Sequence, residues 1–228
     1  MLDDIRDAVH QVRPDASFEF REPYIGPGAT SRTTMIRVND CPMSPARNRI
    51  GIIDLRLATS GVAVHADPVM WADDDTPERV AQHLVNTLFG VPQISMDLLT
   101  LRPEHRRVLR FWLAFINENR DTLLHGEFRP HRPDLDYTVA TALGGDRVVT
   151  VRYQPVSVDS PDRDWHRWSI VNADEPIIDI HTIRGADVCT RSLTVYDAQG
   201  EVIETSTHTE IPLRITVPTG GLAVFDTV

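Results

Sequence analysis

Asp40 closes a short apolar run in the stretch IRVNDCPMSPARNRIGIIDLRL, residues 36–57, just ahead of a proline-opened helix. A carboxylate in a strand-to-helix loop has two uses. It turns the chain by accepting hydrogen bonds from the N–H groups that follow it, or it moves protons for a substrate held in front of it. In glycoside chemistry the second use needs a partner. Retaining hydrolysis sets two carboxyl groups about 5–5.5 Å apart, one attacking the anomeric carbon and the other protonating the leaving oxygen before activating water. Asp40 alone supplies half of that machinery.

Other side chains have the types and spacing to assist. Glu19 and Arg21 alternate on one side of a short strand, a geometry that serves a substrate-binding guanidinium and a structural ion pair alike. His65 and Asp67 stand two residues apart at a strand end and so share a side, where they can hold sugar hydroxyls or fix the entry of the next helix. Trp71 offers a face to a sugar ring or a large body to a core. Ser95 and Asp97 repeat the i, i+2 relation on a later strand, with less to suggest chemistry. The nine histidines include no HExxH pattern, and His125 and His131 fall in a connecting region, so no metal is implied. No GxGxxG, GxxxxGK[ST] or GxSxG occurs, which leaves a nucleotide cofactor and a serine nucleophile without support. Cys41 and Cys189 are far apart and read as free thiols.

Composition narrows the partners. The net charge is −10, and all 23 basic residues are arginine. The one dense arginine group, Arg102 to Arg110, reads as a helix surface, so nucleic acid is disfavoured. A neutral substrate suits this balance. No apolar run nears the roughly 18 residues that span a bilayer, and residues 1–20 are acidic and amphipathic rather than signal-like. The expectation is a cytoplasmic protein that does not enter a membrane.

These side chains need elements to position them. Leu2, Ile5, Val9 and Val12 predict a helix over 2–13, and ASFEFR a strand over 16–21. MIRV leads into the Asp40 loop, where Ser44 is the expected N-cap and Pro45 the first helical residue. VAVH is a strand at 62–65, and Thr76 and Pro77 open a helix through Val80, Leu84 and Leu88 that Gly90 closes. QISMDL (93–98) is a strand, and one long helix runs over 103–124 with a packing stripe of Val108, Phe111, Trp112 and Phe115. Successive strand–loop–helix units imply a parallel sheet. After Gly126 come short strands at TVATAL, RVVTVRY, RWSIV, PIIDI, SLTVY, EVIET, LRITV and LAVFD, the pattern of an antiparallel β-sandwich of roughly 100 residues. The division predicted is 1–126, α/β, and 127–228, all-β.

FREPYIGP, NDCP, IDLRL, VHADPVMW, VPQISMDL, EHRRVLRFWLAFINENRDTLLHGEF and the closing GGLAVF, taken in order, resemble the C-terminal portion of α-galactosidases of glycoside hydrolase family 36, the melibiases. The resemblance implies the C-terminal part of a (β/α)8 TIM barrel followed by an antiparallel β-domain. It implies a retaining mechanism on two aspartates, with the acid/base in the loop after the sixth barrel strand. Asp40, in Val38-Asn39-Asp40-Cys41-Pro42, is the matching position. The family's nucleophile follows the fourth strand in a Lys-Trp-Asp motif, which this chain lacks. A Cys-Ser-Gly-rich stretch with an arginine, which helps many members hold the sugar, reads here Phe20-Arg21-Glu22-Pro23-Tyr24-Ile25-Gly26-Pro27.

The resemblance therefore implies an enzyme for α-galactoside oligosaccharides of which this chain carries the acid/base and lacks the nucleophile, so that it is inactive alone. Asp40 is the catalytic candidate; Arg21, Glu19, His65, Asp67 and Trp71 are the substrate-binding candidates. An α-N-acetylgalactosaminidase or an α-galactosyl transferase fits the same residues. So does a non-catalytic module that binds carbohydrate or a partner through its β-rich half. About three of eight barrel strands would leave an open parallel edge, which the missing N-terminal part of the enzyme or a second copy of the chain would cover.

Overall fold

The structure is a computed structural model that describes residues 1–21, 25–38, 40, 44–59, 61–182 and 189–228, with the side chain of Asp67 also outside the description. Its first half runs α1 (Leu2–Val12), β1 (Glu19–Phe20), α2 (Pro27–Thr30), β2 (Met35–Arg37), α3 (Pro45–Thr59), β3 (Ala63–Val69), α4 (Pro77–Val85) and β4 (Val91–Ile94). The four strands form one sheet in the order β1-β2-β3-β4, every neighbour parallel. Four strands match the four runs read from the sequence and exceed the estimate of about three barrel strands by one. Parallel neighbours need a crossover, and α3 and α4 supply two of them. Ile36, Val64, Ala66 and Val69 of the sheet join Ile52 and Ile53 of α3 and Val80 and Leu84 of α4 in one buried cluster. Thr76 caps α4, its Oγ1 accepting from the Arg79 N–H at 3.4 Å. Gly90 sits where sheet and helix meet most closely; a Cβ there would lie 2.9 Å from the Val64 carbonyl oxygen and 3.1 Å from Ile52 Cγ2.

The long helix expected over 103–124 is two helices, α5 (Pro103–Glu118) and α6 (Arg120–His125). Asn119 breaks it: its backbone N–H and its Nδ2 both donate to the Phe115 carbonyl, each at 3.0 Å, and Arg147 Nη1 holds its Oδ1 at 3.3 Å. Side-chain bonding of the i−4 carbonyl competes with the helical ladder. The stripe of α5 packs as expected, with Val108, Trp112 and Phe115 buried and Phe111 against Tyr196 at 5.7 Å between ring centres.

The second half contains β5 (Glu127–His131), a 3-10 turn (Pro133–Leu135), β6 (Val139–Gly144), β7 (Arg147–Arg152), β8 (Val158–Asp159), β9 (Arg167–Asn172), β10 (Ile177–His181), β11 (Arg191–Tyr196), β12 (Val202–His208), β13 (Arg214–Thr216) and β14 (Gly221–Thr227). They form a seven-stranded sheet, β12-β11-β14-β9-β7-β6-β5, and a three-stranded sheet, β13-β10-β8. The sheets are mixed rather than purely antiparallel, because β7 pairs β9 and β8 pairs β10 in parallel. After β7 the chain crosses to the small sheet to lay down β8 and then returns, so β9 runs the same way as β7.

Alternation in the large sheet feeds two cores. Val148, Trp168, Ile170, Leu193, Val195, Ala223 and Phe225 meet Val158, Ile178, Ile180 and Ile215 of the small sheet. Ala140, Ala142, Val149, Val151, Val171 and Leu222 point the other way and join the cluster of the α/β half. Arg56 fixes the seam between the halves, donating to the Phe89 carbonyl at 3.2 Å and to that of Leu123, with its guanidinium 4.2 Å from the Phe128 ring centre. No helix among the described residues is long and apolar enough to cross a membrane.

Two expected results arise from this packing. His83 of α4 is 1% exposed with no hydrogen-bond partner on Nδ1, and burial, helped by the charge of Arg79, pushes its pKa down to about 4. The unfolded chain takes up that proton near pH 6.5, so the stability is complete above that pH and is lost as pH falls through 4, on the order of 3 kcal/mol in all. Urea unfolding of the wild type and of His83→Leu at pH 7 and pH 4.5 checks it: the wild type should lose more, and equal losses would discard the assignment. The second result concerns the open edges at β1 and β4. Leu98 and Leu99 beyond β4 are 54% and 90% exposed, and α1 buries no residue. Light scattering of the isolated chain should report association; a monodisperse monomer would contradict it.

Candidate active site

Register decides which side chains share a face. Glu19 lies beside Met35, and Met35 beside Ala63; two residues on, Arg37 lies beside His65. Ile36 and Val64 occupy the alternate row and point into the helix-covered core. Glu19, Arg37 and His65 therefore project from the opposite face. Arg21 follows β1 on the same alternation, and Asp40 stands three residues past Arg37, beyond the C-terminal end of β2.

These groups form two neighbouring pairs. Arg37 Nη2 lies 2.8 Å from Asp40 Oδ1, and Arg21 Nη2 3.7 Å from Asp40 Oδ2. His65 Nε2 lies 3.6 Å from Glu19 Oε1. Arg37 and His65 are buried, whereas the Asp40 side chain is 55% exposed. A buried guanidinium thus holds an exposed carboxylate, as a positioning arginine does. Asp40, beyond the C-terminal end of β2, stands where the loops of a parallel α/β sheet gather.

Arg37 was not among the residues singled out from sequence. Its signal was present: a charged residue in the apolar run MIRV, on the alternate position to Ile36. Four of the five substrate-binding candidates have described side chains, and three of these, Glu19, Arg21 and His65, come together with Asp40. The fourth, Trp71, is 3% exposed and packs edge-on against His105 at 6.3 Å between ring centres, which leaves no open indole face for a sugar. The Asp67 side chain lies outside the described residues, as do Asn39 and Cys41. Asp97 caps a turn, its Oδ1 accepting from the Leu99 N–H at 2.9 Å. Cys189 is a free thiol, and no group of three or more His, Cys, Asp or Glu side chains among the described residues is arranged to hold a metal.

No protein-family model matches the chain, and no curated protein sequence matches it. Solved structures do. The GH36 α-galactosidase AgaB from Geobacillus stearothermophilus superposes with a TM-score of 0.52 at 13% identity, over 99% of this chain and 30% of its own. The galactosidase domain of the α-galactosidase–sucrose kinase AgaSK gives 0.53 at 10% identity, over 99% and 31%. A GH30 endoxylanase from Clostridium papyrosolvens gives 0.50 at 10% identity, over 89% and 51%. These likenesses show a glycoside-hydrolase-like fold. The chain spans less than a third of the two galactosidases.

Proposed function

We propose that the chain is the C-terminal portion of a retaining α-galactosidase, with Asp40 as general acid/base and the nucleophilic carboxylate on polypeptide outside these 228 residues. The observation that carries the reading is Asp40 itself, clamped by Arg37 and Arg21 at the C-terminal edge of a four-stranded parallel sheet. If β1 to β4 are the fifth to eighth strands of a (β/α)8 barrel, the loop after β2 is the loop after the sixth strand. The resemblance assigns the acid/base to that loop. The β half is then the enzyme's C-terminal β-sandwich.

Each group has a stated task. In the first step the outside carboxylate bonds to the anomeric carbon, the glycosidic C–O bond breaks, and Asp40 gives its proton to the departing oxygen. In the second step Asp40 takes a proton from water as that water displaces the enzyme carboxylate, returning α-galactose. Arg37 and Arg21 hold Asp40 in place between steps, and Glu19 and His65 lie within reach of sugar hydroxyls on the same face.

The test is turnover. The chain alone should release no aglycone from an aryl α-galactoside, because one carboxyl group cannot both attack and protonate. Turnover that depends on Asp40 in the purified chain would sink the half-site claim. Product analysis on paired galactose and N-acetylgalactosamine substrates, with an acceptor sugar present, separates a galactosidase from its two chemical neighbours.

A further inference from the structure

The glycosidase reading makes no use of a cleft of about 340 Å³ where α3 and α4 meet the β half, lined by the first turn of α3, Arg49, Arg79, Tyr153 and Asp174. Two buried side chains face it with polar groups to spare. Arg49 is 7% exposed and Tyr153 6%. Among the described residues, Arg49 donates one hydrogen bond, Nη1 to Asn86 Oδ1 at 3.3 Å, while its Nε and the Tyr153 hydroxyl have no partner. The guanidinium lies 4.5 Å from the Tyr153 ring centre. Burial lowers the Arg49 pKa even with the charges of Asp136 and Asp174 nearby, so its cation is incompletely compensated. Arg79 is exposed at the rim, and its guanidinium bonds only Gln82 Oε1, at 3.1 Å, among the described residues. Neither arginine has a described carboxylate within ion-pair distance.

The 15-residue α3 adds the positive end of its dipole, with the N–H groups of its first turn. Two guanidiniums, a buried phenol and a helix N-terminus form a site for an oxyanion. One group is out of keeping: Asp174, whose carboxylate accepts no hydrogen bond among the described residues. A carboxylate inside an anion site repels a fully deprotonated oxyanion and accepts a hydrogen bond from one that keeps an O–H. Hydrogen phosphate keeps one at neutral pH and sulfate does not.

We propose that this cleft binds a phosphoryl group bearing an O–H, with Arg49, Arg79 and Tyr153 as donors and Asp174 as the acceptor that selects phosphate over sulfate. The ligand ties the first turn of α3, which follows the Asp40 loop, to α4 and the β half. The assignment is independent of the glycosidase reading.

Calorimetric titration of the full chain with inorganic phosphate at pH 7 and low salt tests it, with sulfate and a hexose 6-phosphate as parallel titrants. Saturable one-to-one phosphate binding is expected, about tenfold or more tighter than sulfate, since a hydrogen bond to a charged group is involved. Arg79→Ala, at an exposed position, should weaken phosphate by about tenfold or more and leave the thermal midpoint without phosphate unchanged. Asp174→Asn should erase the preference over sulfate. Tighter binding of the hexose phosphate identifies a phosphate monoester as the ligand, and tighter binding of inorganic phosphate identifies the free ion; both support the site. Absence of saturable phosphate binding by the folded chain, phosphate binding indifferent to Arg79→Ala, or equal affinity for phosphate and sulfate would each overturn it.

Discussion

Asp40→Asn, made in a polypeptide that carries both carboxylates, should lower turnover of an alkyl α-galactoside by about 10²–10⁴-fold, the usual contribution of a positioned acid/base. The loss should depend on the leaving group. A dinitrophenolate leaves without protonation, so with that substrate the first step survives and the second, which needs a base for water, becomes limiting. Added azide needs no base and should restore turnover as α-galactosyl azide, the product of retained configuration. Asparagine keeps the shape and removes the proton, so the effect separates chemistry from folding. A uniform loss on both substrates with no azide rescue would assign Asp40 to holding its loop rather than to proton transfer. The position of Arg37 sharpens the expectation: it lies 2.8 Å from Oδ1 and Arg21 lies 3.7 Å from Oδ2, so the carboxyl is oriented from both sides.

Trp168→Ala should cost about 3–5 kcal/mol, the range for emptying a large aromatic site in a core. Trp168 is fully buried in β9, stacked on Phe225 at 5.5 Å and edge-on to Trp165 at 5.8 Å between ring centres. Its Nε1 donates to Thr150 Oγ1 of the neighbouring β7 at 3.1 Å. The alanine variant loses the ring's contacts with both sheets and the indole hydrogen bond, leaving Thr150 Oγ1 with Thr141 Oγ1 at 3.2 Å, and the surrounding strands cannot close the gap without breaking their ladders. Urea unfolding, read by tryptophan fluorescence and by far-UV circular dichroism, measures the change. A loss below about 1 kcal/mol would mean that the two sheets are not held together by this cluster.

Much of this arrangement is legible in the residues themselves. Ser44-Pro45 and Thr76-Pro77 mark where α3 and α4 begin, because a proline at the first helical position lacks only an N–H that the helix does not use. The period-2 runs from Val139 to Thr227 mark most of the strands of the β half. What was not legible has physical causes. β5 holds Pro130 between arginine and histidine, and β8 is two residues long, so neither shows a pattern. The parallel pairing of β7 with β9 depends on where the chain goes between them, and no local signal records that. The break at Asn119 comes from its own side chain competing for the Phe115 carbonyl inside an otherwise unbroken apolar stripe. In the candidate site, Asp40, Glu19, Arg21 and His65 could be named from type and spacing. Arg37 could not, since its importance lies in a register with His65 that only the sheet creates. Trp71 went the other way, its size drawing it into the core.

In the proposed enzyme Asp40 is one carboxyl of a pair whose other member lies on polypeptide outside these residues. The most direct test is to read the coding sequence immediately ahead of the Met1 codon in all three frames. Strand–helix units are expected there, with a Lys-Trp-Asp motif after the fourth strand. A readable upstream sequence with no such units and no such motif would contradict it.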